Sequence, residues 1–238
     1  MARVLERVGH RRDCRRSIAK HLLVICATLA VAVAYAPGCQ AQFWIGTAVS
    51  LASLTNSGAD LIVGDKEFTD FTISGSFQAN QVNVTPIELA GNFGIRFSGG
   101  FAAGGQVEDM TLTYSVSVTN SLNLISAANL LFNGQVTYGT GLVQIVEQVF
   151  TNNDFNLPAG QLYVFASATT NRLSDSVSIV PPQSFLDLSK DVLLYAQLPA
   201  FATISTIDQT YTQVPEPSAL ALAAGGLAAL LLLRRRWH

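Results

Sequence analysis

Between residues 110 and 119 apolar and hydroxyl side chains alternate without a fault. Met110, Leu112, Tyr114, Val116 and Val118 share one parity, and Thr111, Thr113, Ser115, Ser117 and Thr119 share the other. Successive side chains of a strand point to opposite faces, so the run predicts a half-buried antiparallel strand with the apolar set inward. Further strand-like runs occupy 60–63, 67–74, 81–85, 94–98, 128–132, 135–138, 142–150, 161–168, 176–180, 192–198 and 202–207. Clusters of Gly, Pro, Asn and Asp at 56–58, 99–100, 104–105, 133–134, 152–154, 158–160 and 181–182 predict the turns between them. No fixed period recurs, and no long amphipathic helical pattern interrupts the strands. The reading is an all-β domain, an antiparallel β-sandwich of jelly-roll-like type. A domain of this size buries roughly 70% of its unfolded surface and needs no disulfide.

Two uncharged apolar runs of 15 residues, 22–36 and 219–233, lie outside this pattern and predict short helices. At about 1.5 Å per residue each reaches about 22 Å, short of the ~30 Å hydrocarbon core. The first follows a basic segment, is broken by Pro37-Gly38, and leaves small residues Cys39 and Ala41 where a signal peptidase requires them. Cleavage after Ala41 makes 1–41 a signal peptide, 42–213 the secreted sandwich and 214–238 a C-terminal signal with its own helix. Cys39 also offers a lipoprotein-type cysteine, although Pro37 is unfavourable in that box. Arg15-Arg16 partly matches a twin-arginine signal, and the general secretory route is preferred.

Charge sharpens the division. Ten of the 14 basic residues lie in the terminal blocks, whereas 43–214 holds 4 basic against 13 acidic residues, a net charge of −9. Such a domain disfavours nucleic-acid phosphates and anionic lipid. All three Cys and all three His also lie in the terminal blocks. Thiol nucleophiles, Ser-His-Asp triads and zinc held by His or Cys are therefore excluded from the middle.

What remains for chemistry is oxygen. Asp65, Glu67 and Asp70, or Asp154 within Asn152-Asn153-Asp154, are calcium-type ligands, without the spacing of a defined calcium loop. Their ordinary role is that of solvated turn carboxylates, and no cofactor is expected. Glycoside hydrolysis needs two acids about 5 to 10 Å apart. Glu108 and Asp109 point to opposite faces if both are in a strand, and Glu147 would need a distant partner. Ser, Thr, Asn and Gln on exposed faces suit a sugar-binding or an ice-facing surface, but also simply keep a sheet soluble. Phe68, Phe71 and Ile73 read as sheet core.

The end of the chain is the most specific part. Val214-Pro215-Glu216-Pro217 precedes the apolar run 219–233, and Arg234, Arg235 and Arg236 come directly after it. The prolines force an extended, exposed turn, and the arginines hold the end of the run on the cytoplasmic side. This three-part layout resembles a PEP-CTERM sorting signal, the bacterial tail processed by exosortase. The resemblance implies transit through the inner membrane, cleavage near 215–218 by an exosortase-type membrane protease, and delivery to the cell surface or beyond. The segment Gly64-Asp65-Lys66-Glu67-Phe68-Thr69-Asp70-Phe71 is also similar to stretches in extracellular domains of PEP-CTERM proteins. The expectation is a non-catalytic structural or adhesive component of an exopolysaccharide or biofilm matrix, with extracellular polysaccharide as a partner. The alternative is a carbohydrate-binding module, with hydrolytic or ice-binding variants behind it.

Overall fold

The computed structural model describes residues 45–120, 122–151 and 158–216. The described residues open with β1 (Val49–Ser50), the short helix α1 (Leu51–Ser57), β2 (Leu61–Val63) and β3 (Lys66–Gly75). A single 3-10 turn at Ala79–Gln81 leads into β4 (Val82–Leu89), β5 (Asn92–Ala103), β6 (Val107–Val118), β7 (Asn123–Thr137) and β8 (Gly141–Thr151). The last five strands are β9 (Pro158–Ser167), β10 (Asn171–Arg172), β11 (Ser174–Gln183), β12 (Phe185–Ala196) and β13 (Phe201–Pro215).

These strands form two antiparallel sheets, one in the order β1-β4-β5-β13-β7-β11 and one in the order β10-β9-β8-β12-β6-β3-β2. Within them β5-β13-β7-β11 faces β6-β12-β8-β9, so from β5 onward the chain crosses between sheets at β5/β6, β6/β7, β7/β8, β10/β11, β11/β12 and β12/β13. That is the jelly-roll winding, and the all-β sandwich expected from the sequence is the fold observed. Among the described residues no helix is long and apolar enough to cross a membrane. The segments 1–41 and 217–238, which carry the two predicted helices, lie outside the described residues.

The core forms where the inward parities of the two sheets meet. Leu112, Tyr114 and Val116 of β6 pack with Leu186, Leu188, Val192 and Leu194 of β12 and with Ile207 and Tyr211 of β13. Each fully buried large apolar side chain contributes about 1.5–3 kcal/mol. Phe68 and Phe71 are both buried although they are three residues apart. A register shift between Thr69 and Thr72 explains this: Asp70 sits at φ 56° and takes a hydrogen bond from Thr69 Oγ1 at 2.9 Å. The bulge skips one parity step, and Asp is among the residues that tolerate that backbone region.

Several sequence expectations need correction. Ser115 does not face solvent; it is buried and donates to Asp187 Oδ1 at 2.6 Å. Asn133-Gly134 is no turn but lies inside β7, where β13 absorbs one extra residue between Ile204 and Thr206. Ser205 Oγ of that bulge donates to the Asn133 carbonyl at 3.2 Å. Gly99-Gly100 likewise lies within β5, and a Cβ on Gly99 would stand 2.6 Å from the Gln81 carbonyl oxygen. Glycine is there for close approach, not for turning. Pro181-Pro182 sits in β11 where its register with β7 jumps from Ser178 to Gln183. An edge strand can leave such positions unpaired. Residues 158–160 open β9.

Candidate functional site

The sorting signal starts on a paired strand. Past a register shift after Thr212, Gln213, Val214 and Pro215 of β13 lie opposite Ile125, Leu124 and Asn123 of β7. The Glu216 N–H then donates to the Leu122 carbonyl at 2.7 Å. Pro215 is exposed and closes the strand, where its missing N–H costs nothing in the ladder. Beside it Lys66, Phe93, Asn123, Gln213 and Val214 line a cleft of about 290 Å³. Lys66, only 1% exposed, pairs its Nζ with Asp65 Oδ1 at 2.8 Å, and Asn123 Nδ2 donates to Asp65 Oδ2 at 3.5 Å. Burial pushes the Asp65 carboxyl up, but hydrogen bonds and charge from Lys66, with Asn123 and Gln213, outweigh it and hold it below the usual range. Burial draws the Lys66 ammonium down despite Asp65. The remaining signal residues, Pro217, Arg234, Arg235 and Arg236, and the predicted cleavage residue Ala41 lie outside the described residues.

The calcium candidates are kept apart. Asp65 serves Lys66 and Asn123, Glu67 Oε2 accepts from Ser117 Oγ at 3.3 Å, and Asp70 occupies the bulge with Thr69. Among the described residues no three Asp, Glu, His or Cys side chains gather as a metal site. Asp154 lies outside them.

Both sheets present an outer face. On the seven-stranded sheet Tyr163 and Phe165 of β9 stack with ring centroids 5.5 Å apart and planes 25° apart. Both rings are half-buried, and Tyr163 Oη donates to Gln144 Oε1 of β8 at 3.4 Å. Leu193 and Tyr195 of β12 lie on the same face two strands away, opposite Gln144 and Leu142 respectively. On the six-stranded sheet a groove of about 500 Å³ is lined by Asn92, Asn129, Leu131, Asp175, Asp208 and Thr210. Its two carboxylates are already engaged. Arg96 grips Asp208 through Nε at 2.6 Å and a second guanidinium nitrogen at 2.7 Å, while Asp175 pairs with Arg172 and accepts the Tyr163 N–H at 2.8 Å. The bidentate Arg96 fork and the capped β9 edge are structural uses of charge.

A third group was missed from the sequence. Lys190 of β12, Glu147 of β8 and Gln209 of β13 are all fully buried, at 0% exposure. Lys190 Nζ pairs with Glu147 Oε2, donates to Gln209 Oε1 at 2.5 Å, and stands 5.8 Å from the centroid of the Tyr114 ring. Burial alone drives the Lys190 amine well below its ordinary value. The signal was parity: Lys190 continues the inward series Leu186, Leu188, and Glu147 the series Val143, Ile145. Glu147 is therefore closed to any substrate from solvent, and the hydrolytic pairing considered for it has no access.

Similar solved structures include TmCBM61 in complex with beta-1,4-galactotriose, 11% identical, covering 61% of this chain and 88% of that one, TM-score 0.31. TmCBM27, a carbohydrate-binding module with specific mannan recognition, is 10% identical over 72% of this chain and 99% of that one, TM-score 0.27. The xylan-binding module CBM15 is 12% identical over 70% and 97%, TM-score 0.26. No curated protein matches the sequence. The C-terminal likeness is of another order: residues 213–236 match the PEP-CTERM protein-sorting motif, so the chain carries that signal, an address for export, and enters it on the last pairs of β13.

Proposed function

We propose that this is a non-catalytic adhesive protein of the cell surface or extracellular matrix, sorted by exosortase, whose sandwich holds an extracellular polysaccharide on the outer face of its seven-stranded sheet. The observation that carries this reading is the stacked Tyr163–Phe165 pair with Gln144 beside it. Sugar rings bury their apolar C–H faces on aromatic rings while neutral donors and acceptors orient the hydroxyls. The face supplies both, and a sheet face can follow a chain rather than a single sugar. Glu147 is closed off in the core, and Asp175 and Asp208 of the other sheet are bound to arginines, which argues against hydrolysis by these carboxylates. The acidic middle is consistent with a neutral polysaccharide rather than a polyanion.

The test is calorimetric titration of mature protein, recovered from its own cell surface, with exopolysaccharide from the same cells. Binding should weaken by about tenfold in Phe165→Ala and stay unchanged in Thr69→Ala on the same sheet. No binding by wild type, or equal binding by Phe165→Ala, would sink the polysaccharide assignment. Release of new reducing ends during the incubation would sink the non-catalytic one.

A further inference from the structure

The buried group formed by Lys190, Glu147 and Gln209 is poorly explained as a stabilising ion pair. Burying two charges costs several kcal/mol per ion unless every remaining lone pair and proton is satisfied. Here Glu147 Oε1 and Gln209 Nε2 are buried without any hydrogen-bond partner. The two orphaned atoms belong to the two side chains that hold the Lys190 amine. Burial favours the neutral form of the Lys190 amine, and the neutral amine is a nucleophile. The Tyr114 ring centroid lies 5.8 Å from the amine, and the Tyr114 hydroxyl meets that of Tyr211 at 3.0 Å.

The acceptor is equally well placed. Lys190 Nζ lies 2.5 Å from Gln209 Oε1. The carboxamide carbon, bonded to that oxygen at about 1.2 Å, is therefore no more than about 3.7 Å from the amine. Reacting atoms in a near-attack arrangement stand about 3–3.5 Å apart.

We propose that Lys190 and Gln209 become joined by an intramolecular isopeptide bond, with Glu147 as the proton carrier. The Lys190 amine adds to the Gln209 carboxamide carbon, and a new C–N bond forms as the old one breaks. One amine proton passes to Glu147, which delivers a proton to the departing nitrogen and ends in its starting state. Ammonia leaves, so the reaction needs no oxidant, metal or second substrate. Glu147 is a catalytic residue in this step because it touches the reacting amine. The bond would run from β12 in one sheet to β13 in the other, and Gln209 lies five residues before Val214. It would fasten the strand that leads into the sorting signal covalently to the opposite sheet.

The test is the denatured intact mass of wild-type protein recovered from the producing cells, with fragmentation afterwards. The expected mass is about 17 Da below that of the sequence between its observed ends, the loss of one ammonia. An N-terminal Gln42 exposed by signal cleavage loses the same mass when it cyclises, so the deficit must be located. Trypsin cuts after Lys190 only if its amine is free; the linked protein should resist cleavage there and yield fragment ions joining Lys190 to Gln209. Glu147→Gln retains a hydrogen-bond partner for the amine and should keep the sandwich while leaving Lys190 free, and the apolar Lys190→Met should fold without the mass deficit. Circular dichroism reports whether each variant has folded. Cleavage after Lys190 in the wild type overturns the proposal, as does a link that persists in Glu147→Gln. A deficit of about 18 Da, the loss of water, located to Lys190 and Glu147 overturns the assignment of Gln209 as acceptor.

Discussion

Tyr114 and Tyr211 bring one hydroxyl from each sheet to the middle of the sandwich, 3.0 Å apart and out of reach of water. Burial pushes both phenols above their ordinary range. For such groups the protons are held more tightly by the folded than by the unfolded chain. Their contribution is present below about pH 10 and is lost as pH climbs above it, each tyrosine removing about 1.4 kcal/mol of stability per pH unit. Urea midpoints taken from pH 8 to pH 12 should therefore fall steeply above pH 10, and Tyr114→Phe should roughly halve that slope. A midpoint that stays flat to pH 12 would show that the hydroxyls are solvated. Ser115 tests the outer layer of the same strand. Thr113→Asp should change stability by less than about 0.5 kcal/mol, because Thr113 is only partly covered and the new charge reaches water. Ser115→Asp should cost about 3 kcal/mol or more in urea titrations, since it sets a second carboxylate against buried Asp187 and removes that group's hydroxyl donor. Equal effects at the two positions would mean that Asp187 is reached by solvent.

At the level of the strands, the legible positions are those that obey strict parity. Met110, Leu112, Tyr114 and Val116 alternate because β6 is flanked by partners on both edges and turns only one of its faces to the core, so the apolar positions there have a single job. Phe71 cannot be assigned that way, since the bulge at Asp70 shifts the parity by one and leaves no mark that a solvated turn would not share. Asn133-Gly134 misleads for a related reason: a hairpin signal in a strand of 15 residues is overridden by continuous pairing with β13. The pairing order of the jelly roll is set by contacts between distant segments, and no local pattern encodes it. The same blindness hid Lys190 and Gln209, which are 19 residues apart on strands of different sheets and meet only after the winding is complete. One strand makes a direct prediction. Because the Glu216 N–H is paired to Leu122, its amide should exchange with deuterium at least about tenfold more slowly than an unfolded reference, as native pairing of a strand end requires. Exchange at the unfolded rate would mean that β13 ends before the sorting motif.

For the molecule as a whole, the sorting motif is the address for export, and its junction with the sandwich is built on the end of β13. The motif spans 213–236, yet its first residues are held against β7, so a membrane protease must either cut beyond Glu216 or part 214–216 from residues 122–124. The intact mass of the mature protein reads out which of these occurs, through the residue at its C-terminus. Glu216→Ala keeps both prolines and the backbone pairing while removing the carboxylate, and uncleaved precursor should accumulate in the inner membrane. Neutralising Arg234, Arg235 and Arg236 together should act through a different step, because positive charge is what holds the end of a short apolar segment on the cytoplasmic side. Orientation and retention should fail before cleavage does, and the variant should be depleted from the inner membrane rather than trapped there. A permanent anchor predicts the opposite pattern: Glu216→Ala is silent, and the wild-type protein keeps 218–238. Fractionating cells that express each variant, with an epitope inserted near Asn56, separates the two patterns. Wild-type protein found full length at its C-terminus in an exosortase-bearing host would overturn sorting by cleavage, and the sandwich would then work as a membrane-tethered domain.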